Sequence, residues 1–463
     1  MKESNTSPNE TARDEAVESA FPLNLPADRT QSRALIDELG RYVVAEPRPF
    51  AIDLAKSEGM YLATVDGDRI CDWAGYFGAK LVAHNHPRLY EPSYVQRLVV
   101  AANNKVANPD FLTPECVAYY RELASIAPRA MRSPSLEIYV VNSGAEAVEN
   151  MMKYLINLHH ERLLAQGKRP GARRFVHFDQ AFHGRTIFAL NVTRLSHDPV
   201  MTKDFEGLVG TNIQVPFPAM DSSLSAAENA ERERESLKAI EEAFVRHGDE
   251  IVSVIVEPLQ GAGGHRVATP GFFAKLSALC HLHGVQLGFD EVQTAGGQTG
   301  SSFAIDAFDL PHPPQAVAAG KKLGNGVVYM QRPMRDHGVL DSTWGGTLAD
   351  MVRFVQEMAI VRDEKLVEQV PEKTAHLVDV LTTIEKDFPE LVTNIRGYGL
   401  YQGFTLRAPI QKGAFVTRAL EEERTLLLGA GSDSIRLRPH LHVTSKDIDD
   451  LGKTLRRVLQ RSA

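Results

Sequence analysis

Six short segments between Ser143 and Thr347 contain side chains that can do chemistry on a bound ligand. The most reactive candidate is Lys321 in AVAAGKKLGNG, where the lysine follows a short apolar run. A lysine held beside a cationic ring loses pKa and becomes a nucleophile able to form a Schiff base. Lys322 is the rival amine, and an ordinary solvated lysine is the alternative without function. A P-loop is excluded, because Gln315 occupies the place of its first glycine and no Ser or Thr follows the lysine.

A carboxylate follows a second apolar run, in LGFDEVQTAGGQTG. Asp290 is expected to come from a buried position, where an unpaired carboxylate is costly and needs a cation. The protonated nitrogen of a pyridinium ring would serve, and Gln293 could then reach the phenolic oxygen of the same ring. A magnesium ligand of the Walker B type and a helix cap are the alternatives.

The segment VNSGAEAVENMMKYLINL is typical of the start of a helix. Ser143 and Glu146 have the spacing of a capping box. Gly144 and Ala145 carry no bulky side chain, so free backbone N–H groups can approach a phosphate at the positive helix end. An ordinary capped helix without a ligand explains the same pattern.

Three further segments are weaker when taken singly. In AFHGRT, Phe182 could lie flat on an aromatic cofactor and Arg185 could pair with a carboxylate; a core phenylalanine and a surface arginine are the alternative. In VEPLQGAGG, Glu257 at a strand end precedes a glycine-rich turn, which suggests backbone packed around a ligand or simply a tight turn. In STWGGT, Thr343 could donate to a phosphate.

The elements that must position these residues alternate between strand and helix. The predicted strands are 136–141, 175–178, 251–257, 285–290 and 316–319, and the predicted helices between them include 226–247 and 270–283. This alternation predicts an α/β domain with a mostly parallel sheet. Ligands bind beyond the carboxyl ends of such strands, and those ends carry Glu257, Asp290 and Lys321.

The predicted organisation has four parts. Residues 1–26 form a flexible tail, and 27–86 form an N-terminal segment with a hairpin at Gly67 that packs with the small domain. Residues 87–347 form the large ligand-binding domain. Residues 348–463 form a smaller α+β domain with a strand pair near 400–406 and 425–443 and a last helix from Ser445.

Composition excludes several classes of protein. The 463 residues are 43% hydrophobic and 24% charged, which argues against a disordered or fibrous chain. The net charge of −8 does not favour binding of nucleic acid, and no apolar run is long enough for a membrane span. The three cysteines form no CxxC pair, so we expect no disulfide framework, no metal site and a cytoplasmic location. The GxGxxG, GxSxG and HExxH motifs are absent.

Taken together and in this order, the six segments resemble those of the class III aminotransferases, which are pyridoxal-phosphate (PLP) enzymes of fold type I. The resemblance implies that Lys321 carries PLP as a Schiff base, that Asp290 pairs with the ring nitrogen and that Phe182 stacks on the ring. It also implies a homodimer in which Thr343 binds the phosphate held by the neighbouring subunit. The residues it assigns to the cofactor are Ser143, Gly144, Ala145, Phe182, Asp290, Gln293, Lys321 and Thr343.

Within this class, SGAEAVENMMKY, FDEVQT and IRLRPHLHVT look most like lysine 6-aminotransferases. By this resemblance Arg185 holds the α-carboxylate of lysine or the distal carboxylate of glutamate. Arg436 holds the α-carboxylate of glutamate or 2-oxoglutarate, and Glu257 belongs to the substrate site. One position departs from the family pattern: Ala262 stands where such enzymes usually carry a glutamate that shields the arginine.

The function implied is transfer of the terminal amino group of an ω-amino substrate, L-lysine, to 2-oxoglutarate. Because of Ala262, other ω-amino donors stay open: ornithine, 4-aminobutyrate, a diamine or a β-amino acid, with pyruvate as a possible acceptor. Racemisation or aminomutation on the same cofactor is a second alternative. A non-catalytic scaffold of the same fold is the alternative from a different class.

Overall fold

The computed structural model describes residues 29–43, 48–105, 107–169, 171–201, 212–335 and 338–462. The predicted flexible tail, 1–26, lies outside these residues. The described chain begins with helix α1 (Thr30–Leu39), followed by strands β1 (Ile52–Glu58), β2 (Tyr61–Thr64) and β3 (Arg69–Asp72). Gly67, at a φ of +95° that favours glycine, turns the chain between β2 and β3, so the predicted hairpin is confirmed.

Three helices precede the large sheet. They are α2 (Gly75–Gly78), α3 (Pro92–Asn104) and α4 (Pro114–Ser125). Helix α4 begins at Pro114, because proline suits the first helical position and the Thr113 side chain accepts a hydrogen bond from the Cys116 N–H.

The centre of the molecule is a seven-stranded sheet. Its strands are β4 (Glu137–Val141), β5 (Arg174–Phe178), β6 (Ile213–Val215), β7 (Ile251–Val256), β10 (Gln286–Asp290), β11 (Ala316–Ala319) and β12 (Gly326–Met330). Two short strands, β8 (Leu259–Gln260) and β9 (Arg266–Val267), form a separate two-stranded sheet. The order of the seven-stranded sheet is β4-β12-β11-β10-β7-β5-β6, and only β12 runs against the others. The predicted mostly parallel sheet is therefore confirmed, and the carboxyl ends of β4, β5, β7, β10 and β11 meet at one edge.

Helices cover this sheet. They are α5 (Gly144–Ala165), α6 (Ile187–Leu190), α7 (Ala226–His247) and α8 (Pro270–Leu282). Helix α5 buries Val148, Met151, Met152 and Leu155 completely, because they recur at the spacing of one helical face. Its amino end is thereby held at the carboxyl edge of the sheet.

The C-terminal part combines helices with a four-stranded antiparallel sheet. Its elements are α9 (Leu348–Asp363), α10 (Val370–Asp387), β13 (Val392–Tyr398), β14 (Tyr401–Leu406), α11 (Lys412–Glu423), β15 (Thr425–Leu426), β16 (Leu428–Ala430), β17 (Ser434–Arg436) and α12 (Ser445–Gln460). The sheet order is β13-β14-β17-β16, while β15 pairs with β3 of the N-terminal segment. The predicted continuous strand at 425–443 is wrong, because the chain turns at Gly431 and splits that stretch into three short strands.

Seven short 3₁₀ helices complete the described elements: Pro87–Tyr90, Pro109–Phe111, Arg129–Met131, Pro199–Met201, Gly248–Glu250, Ala304–Ala307 and Lys321–Leu323. None of the described helices is long and apolar enough to cross a membrane. The three cysteines are free thiols.

Candidate active site

The candidate active site is a crevice of about 650 Å³ at the carboxyl edge of the large sheet. Residues that follow the ends of β4, β5, β7, β10 and β11 line it on one side, and residues of the C-terminal part line it on the other. The predicted site residues in its wall are Gly144, Ala145, Phe182, Arg185, Glu257, Asp290, Gln293, Lys321 and Arg436. Only Ser143 and Thr343 among the predicted site residues do not line the crevice.

Lys321 faces the crevice, whereas Lys322 points into the protein. The side-chain nitrogen of Lys322 hydrogen-bonds to the Gln293 carbonyl oxygen (2.7 Å), the Tyr401 hydroxyl (3.0 Å) and the Gly78 carbonyl oxygen (3.2 Å). Burial, with the charges of Lys321 and Arg438, lowers the pKa of Lys322 well below its ordinary value, so it is these contacts inside the protein, and not its pKa, that set Lys322 apart from Lys321. No described residue accepts a hydrogen bond from Lys321, whose backbone is held at a φ of +50°, unusual for a residue with a side chain. Lys321 is thus the amine available to a ligand.

Burial lowers the pKa of Lys321 to about 8. The carboxylate of Asp290 opposes this shift, while the guanidinium groups of Arg436 and Arg438 add to it. A pKa that far below the ordinary value leaves a substantial neutral fraction at neutral pH, and only the neutral amine is a nucleophile.

Asp290, the last residue of β10, is buried and paired with a histidine that the sequence argument did not include. Its Oδ2 lies 2.8 Å from Nδ1 of His183, and its Oδ1 accepts the Val292 N–H at 3.0 Å. Burial opposes protonation of His183, but the hydrogen bond and charge of Asp290 prevail and raise the imidazole pKa. His183 belongs to the AFHGRT segment, and its place between Phe182 and Arg185 was the one sequence feature that could have indicated a role in the site.

The amino end of α5 forms a cradle at the floor of the crevice. The helix begins at Gly144, so the N–H groups of Gly144 and Ala145 have no acceptor within the helix. A Cβ on Gly144 would lie 2.5 Å from a methyl carbon of Val292, so only glycine permits this close approach. Ser143 caps the helix by accepting the Glu146 N–H at 3.2 Å, but its side chain is exposed.

The predicted capping box at this helix is only half formed. The Glu146 carboxylate accepts the Asn142 N–H at 2.9 Å instead of the N–H of Ser143. Ser143 therefore caps the first turn of the helix through its side chain only, and its backbone N–H does not donate to the Glu146 carboxylate. The predicted capping box is therefore wrong in its second hydrogen bond.

Phe182 and Glu257 lie together in the wall. The Phe182 N–H donates to Oε2 of Glu257 at 2.9 Å, which fixes the chain after β5 against the end of β7. Burial raises the pKa of Glu257 to about 8, and Asp290 adds to the shift, while His183 and Lys321 oppose it. Gln293 donates weakly to the Phe77 carbonyl oxygen at 3.4 Å.

Thr343 lies outside the crevice of its own chain. Its side chain is exposed. The segment that carries it is held to Ala107, whose backbone N–H donates to the Trp344 carbonyl oxygen. Arg185 and Arg436 both line the crevice, the first after β5 and the second at the end of β17. The C-terminal part also supplies Lys412, which the sequence argument did not include.

These groups fit PLP. The start of α5, kept open by Gly144, suits a phosphate, and the buried Asp290 carboxylate suits a protonated ring nitrogen. Lys321 supplies a half-buried amine of lowered pKa in the same crevice. The fold and the site together define a PLP-dependent enzyme of fold type I.

Comparisons with known proteins place the chain more narrowly. The family model of the class III aminotransferases matches residues 42–459, and the protein belongs to that family. L-lysine-epsilon aminotransferase of Amycolatopsis lactamdurans is 31% identical over 444 residues, covering 92% of this chain and 96% of that protein. The Mycobacterium tuberculosis (H37Rv) enzyme of the same name is 32% identical over 429 residues, covering 89% and 92%. A solved lysine aminotransferase from M. tuberculosis superposes with a TM-score of 0.87 at 29% identity, covering 95% of this chain and all of that one.

The protein is thus a PLP-dependent aminotransferase whose substrates are an amino donor and a 2-oxo acid acceptor.

Proposed function

We propose that the protein transfers the terminal amino group of an ω-amino substrate, L-lysine, to 2-oxoglutarate, giving the semialdehyde and glutamate. The observation that carries this proposal is a crevice lined by Lys321 and by two arginines on different parts of the chain, Arg185 and Arg436. A dicarboxylate acceptor needs two such cations. The donor rests on the lysine aminotransferases to which the chain is similar.

Lys321 acts as both base and acid in this proposal. When bound, PLP supplies the electron sink that stabilises negative charge at the substrate carbon. Lys321 takes a proton from that carbon and returns it to the cofactor side, because its pKa of about 8 suits both directions near neutral pH. Asp290, held by His183, keeps the ring nitrogen protonated.

The other residues bind and orient. Ser143, Gly144 and Ala145 would hold the phosphate at the start of α5, and Phe182 would pack on the ring. Gln293 would contact the phenolic oxygen attached to the ring. Glu257 would border the substrate, and burial raises its pKa. Arg185 holds the far carboxylate and Arg436 the carboxylate next to the reacting carbon.

A homodimer is part of the proposal, in which Thr343 of the partner subunit completes the phosphate site. Trp344, Phe111 and Leu112 support it, because these three large apolar side chains are exposed around the segment that carries Thr343. Light scattering on the purified protein should give twice the mass of one chain. A cytoplasmic location stays a prediction.

A second donor class is kept because of Ala262. This residue lines the crevice, and no described carboxylate forms an ion pair with Arg436. Ornithine, 4-aminobutyrate, a diamine or a β-amino acid are the candidates, with pyruvate as an alternative acceptor.

A donor panel with 2-oxoglutarate and with pyruvate tests the proposal. We expect L-lysine to be the best donor, with one acceptor consumed for each amino group moved. Turnover of another ω-amino donor but not of L-lysine would replace the first proposal by the second. Conversion of the donor without consumption of either 2-oxo acid would instead indicate racemisation or aminomutation.

A further inference from the structure

Arg436 is a cation in the wall of the crevice that has no matching anion within the described chain. Burial lowers its pKa only to about 10, so the guanidinium stays charged at neutral pH. Glu257 raises that pKa, but no described carboxylate lies within 4.0 Å, and the Nε atom has no hydrogen-bond partner in the described residues. Because Arg436 also lowers the pKa of Lys321, the two groups act on the same region.

A second cation, Lys412, reaches the same wall from the first residue of α11. Its stem crosses Gly429, where a Cβ would lie 2.9 Å from the lysine Cδ, so the glycine makes room for it. Its ammonium donates to the Gly431 carbonyl oxygen, which uses one of three N–H bonds. Burial lowers the pKa of Lys412, Asp433 opposes this and Arg436 adds to it.

The groups that face this pair do not neutralise it. His197 lines the crevice, and burial, Lys412 and Arg436 lower its pKa, so the imidazole is neutral at neutral pH. Asp198 also lines the crevice but forms no ion pair with either cation in the described chain. Ala262 also lines the crevice, and its carbonyl oxygen accepts the Gly431 N–H at 3.1 Å. That bond fixes the uncharged turn beside the loop that positions Lys412.

We propose that Lys412 is a specificity-determining residue that binds the substrate carboxylate together with Arg436. An unpaired charge in a partly dry site is costly until an anion arrives, and a carboxylate can accept from both groups at once. The pair therefore favours 2-oxo acid acceptors, whose carboxylate lies beside the reacting carbon, and it contributes little to an amine that reacts at a terminal carbon without a carboxylate. This inference rests on the proposed function only in taking the crevice as the site of transamination.

The test compares Lys412→Met with Lys412→Arg, and uses Lys238→Met, an exposed lysine on α7, as the matched control. Calorimetry on the holoenzyme gives the Kd of glutarate, a dicarboxylate that cannot react. Kinetics give KM and kcat for 2-oxoglutarate and for n-hexylamine, a donor without a carboxylate.

In Lys412→Met we expect the glutarate Kd and the 2-oxoglutarate KM to rise about tenfold, with kcat changed less than about twofold and the hexylamine KM unchanged. Lys412→Arg should keep most of the binding. An unchanged glutarate Kd in Lys412→Met, or an equal loss with hexylamine, would overturn the role of Lys412. Failure of L-lysine as a donor would overturn the proposed function instead, while the glutarate arm still decides on Lys412.

Discussion

Two regions of the molecule bring titratable side chains together, and they differ in how fully those groups are paired. One is the crevice around Lys321. The other is the cluster of His86, Glu364 and His442, in which each imidazole Nε2 contacts one oxygen of the same carboxylate, at 3.1 and 2.9 Å. By residue type alone the cluster resembles a metal site, because its three ligand atoms lie within 4.8 Å of one another.

The hydrogen bonds on the far side of the two imidazoles argue otherwise. Nδ1 of His442 accepts the Ala83 N–H at 3.2 Å, and Nδ1 of His86 accepts the Arg88 N–H at 3.3 Å. Each neutral ring therefore carries its proton on Nε2 and donates it to Glu364. A metal bound at Nε2 would require a proton on Nδ1, facing a backbone N–H. The cluster is a closed hydrogen-bonded clasp that ties three distant segments together.

The crevice has the opposite character. Arg436 lacks an ion pair within the described chain, the Nε2 atom of His183 has no partner there, and burial raises the pKa of Glu257 to about 8. Groups held unpaired at a cost to stability indicate a site built for something that binds. A cluster of suitable residue types does not by itself identify a binding site, whereas a cluster whose charged groups lack partners does.

The sharpest contrast is between the adjacent lysines of the crevice. Lys321→Ala should remove the visible absorbance of the bound cofactor and lower turnover by about 1,000-fold or more, with the fold retained. Lys322→Ala should keep the absorbance but destabilise the protein by roughly 3 kcal/mol, because it removes a buried side chain and takes the donor from the Gln293 carbonyl oxygen, while the Gly78 carbonyl oxygen keeps only the Tyr401 hydroxyl. Absorbance and thermal unfolding separate the two outcomes. The opposite pattern would exchange the roles of the lysines.

Asp290→Asn should have the next largest effect. The amide has the shape of the carboxylate but cannot hold a proton on the ring nitrogen, so turnover should fall about 100-fold while the cofactor stays bound. The pKa of His183 should fall as well, since Asp290 is what raises it, and NMR of the imidazole measures this. Unchanged turnover would remove Asp290 from the mechanism.

The lowered pKa of Lys321 predicts a pH dependence for uptake of the cofactor. The amine reacts only when neutral, so the rate at which the cofactor-free protein regains absorbance should rise with pH and level off above about 9. An ordinary lysine would still be gaining rate at pH 10. At pH 7 the difference amounts to about 300 times more neutral amine. Stopped-flow absorbance gives the profile, and a rise centred well above 9 would show that Lys321 is not perturbed.

The smallest effect is expected at the clasp. Glu364→Gln turns one acceptor oxygen into a donor that faces an imidazole N–H, which should cost about 1 kcal/mol of stability. Turnover should change less than twofold, and a chelator should not alter it. Loss of activity on chelation, with recovery on adding Zn²⁺, would show that the cluster holds a metal after all.

The sequence predicted those parts of the molecule that depend on local pattern. Five of the seven strands of the large sheet lie within about two residues of their expected bounds, because apolar runs ended by polar or glycine residues leave little choice, whereas β6 and β12 were not predicted. The edge that carries Glu257, Asp290 and Lys321 followed from their places at strand ends. Strand β13 and the breaks around Gly431 were missed, since turns there depend on contacts with the rest of the small sheet.

The partners of the site residues were harder to predict. His183 meets Asp290 across 107 positions, and Lys322 meets Tyr401 across 79, so no window of sequence contains either pair. Lys412 had no motif at all, and its place in the crevice became visible only when α11 was placed beside β16. Long-range pairing of charges is set by the packing of whole elements, which local pattern does not encode.

The central claim is that the amine of Lys321 carries the cofactor. Treating the holoenzyme with borohydride fixes PLP covalently on the amine that holds it, and mass spectrometry of the digested protein identifies that residue. We predict the cofactor mass on Lys321 and an unmodified Lys322. Modification of Lys322 with Lys321 unmodified would contradict the account.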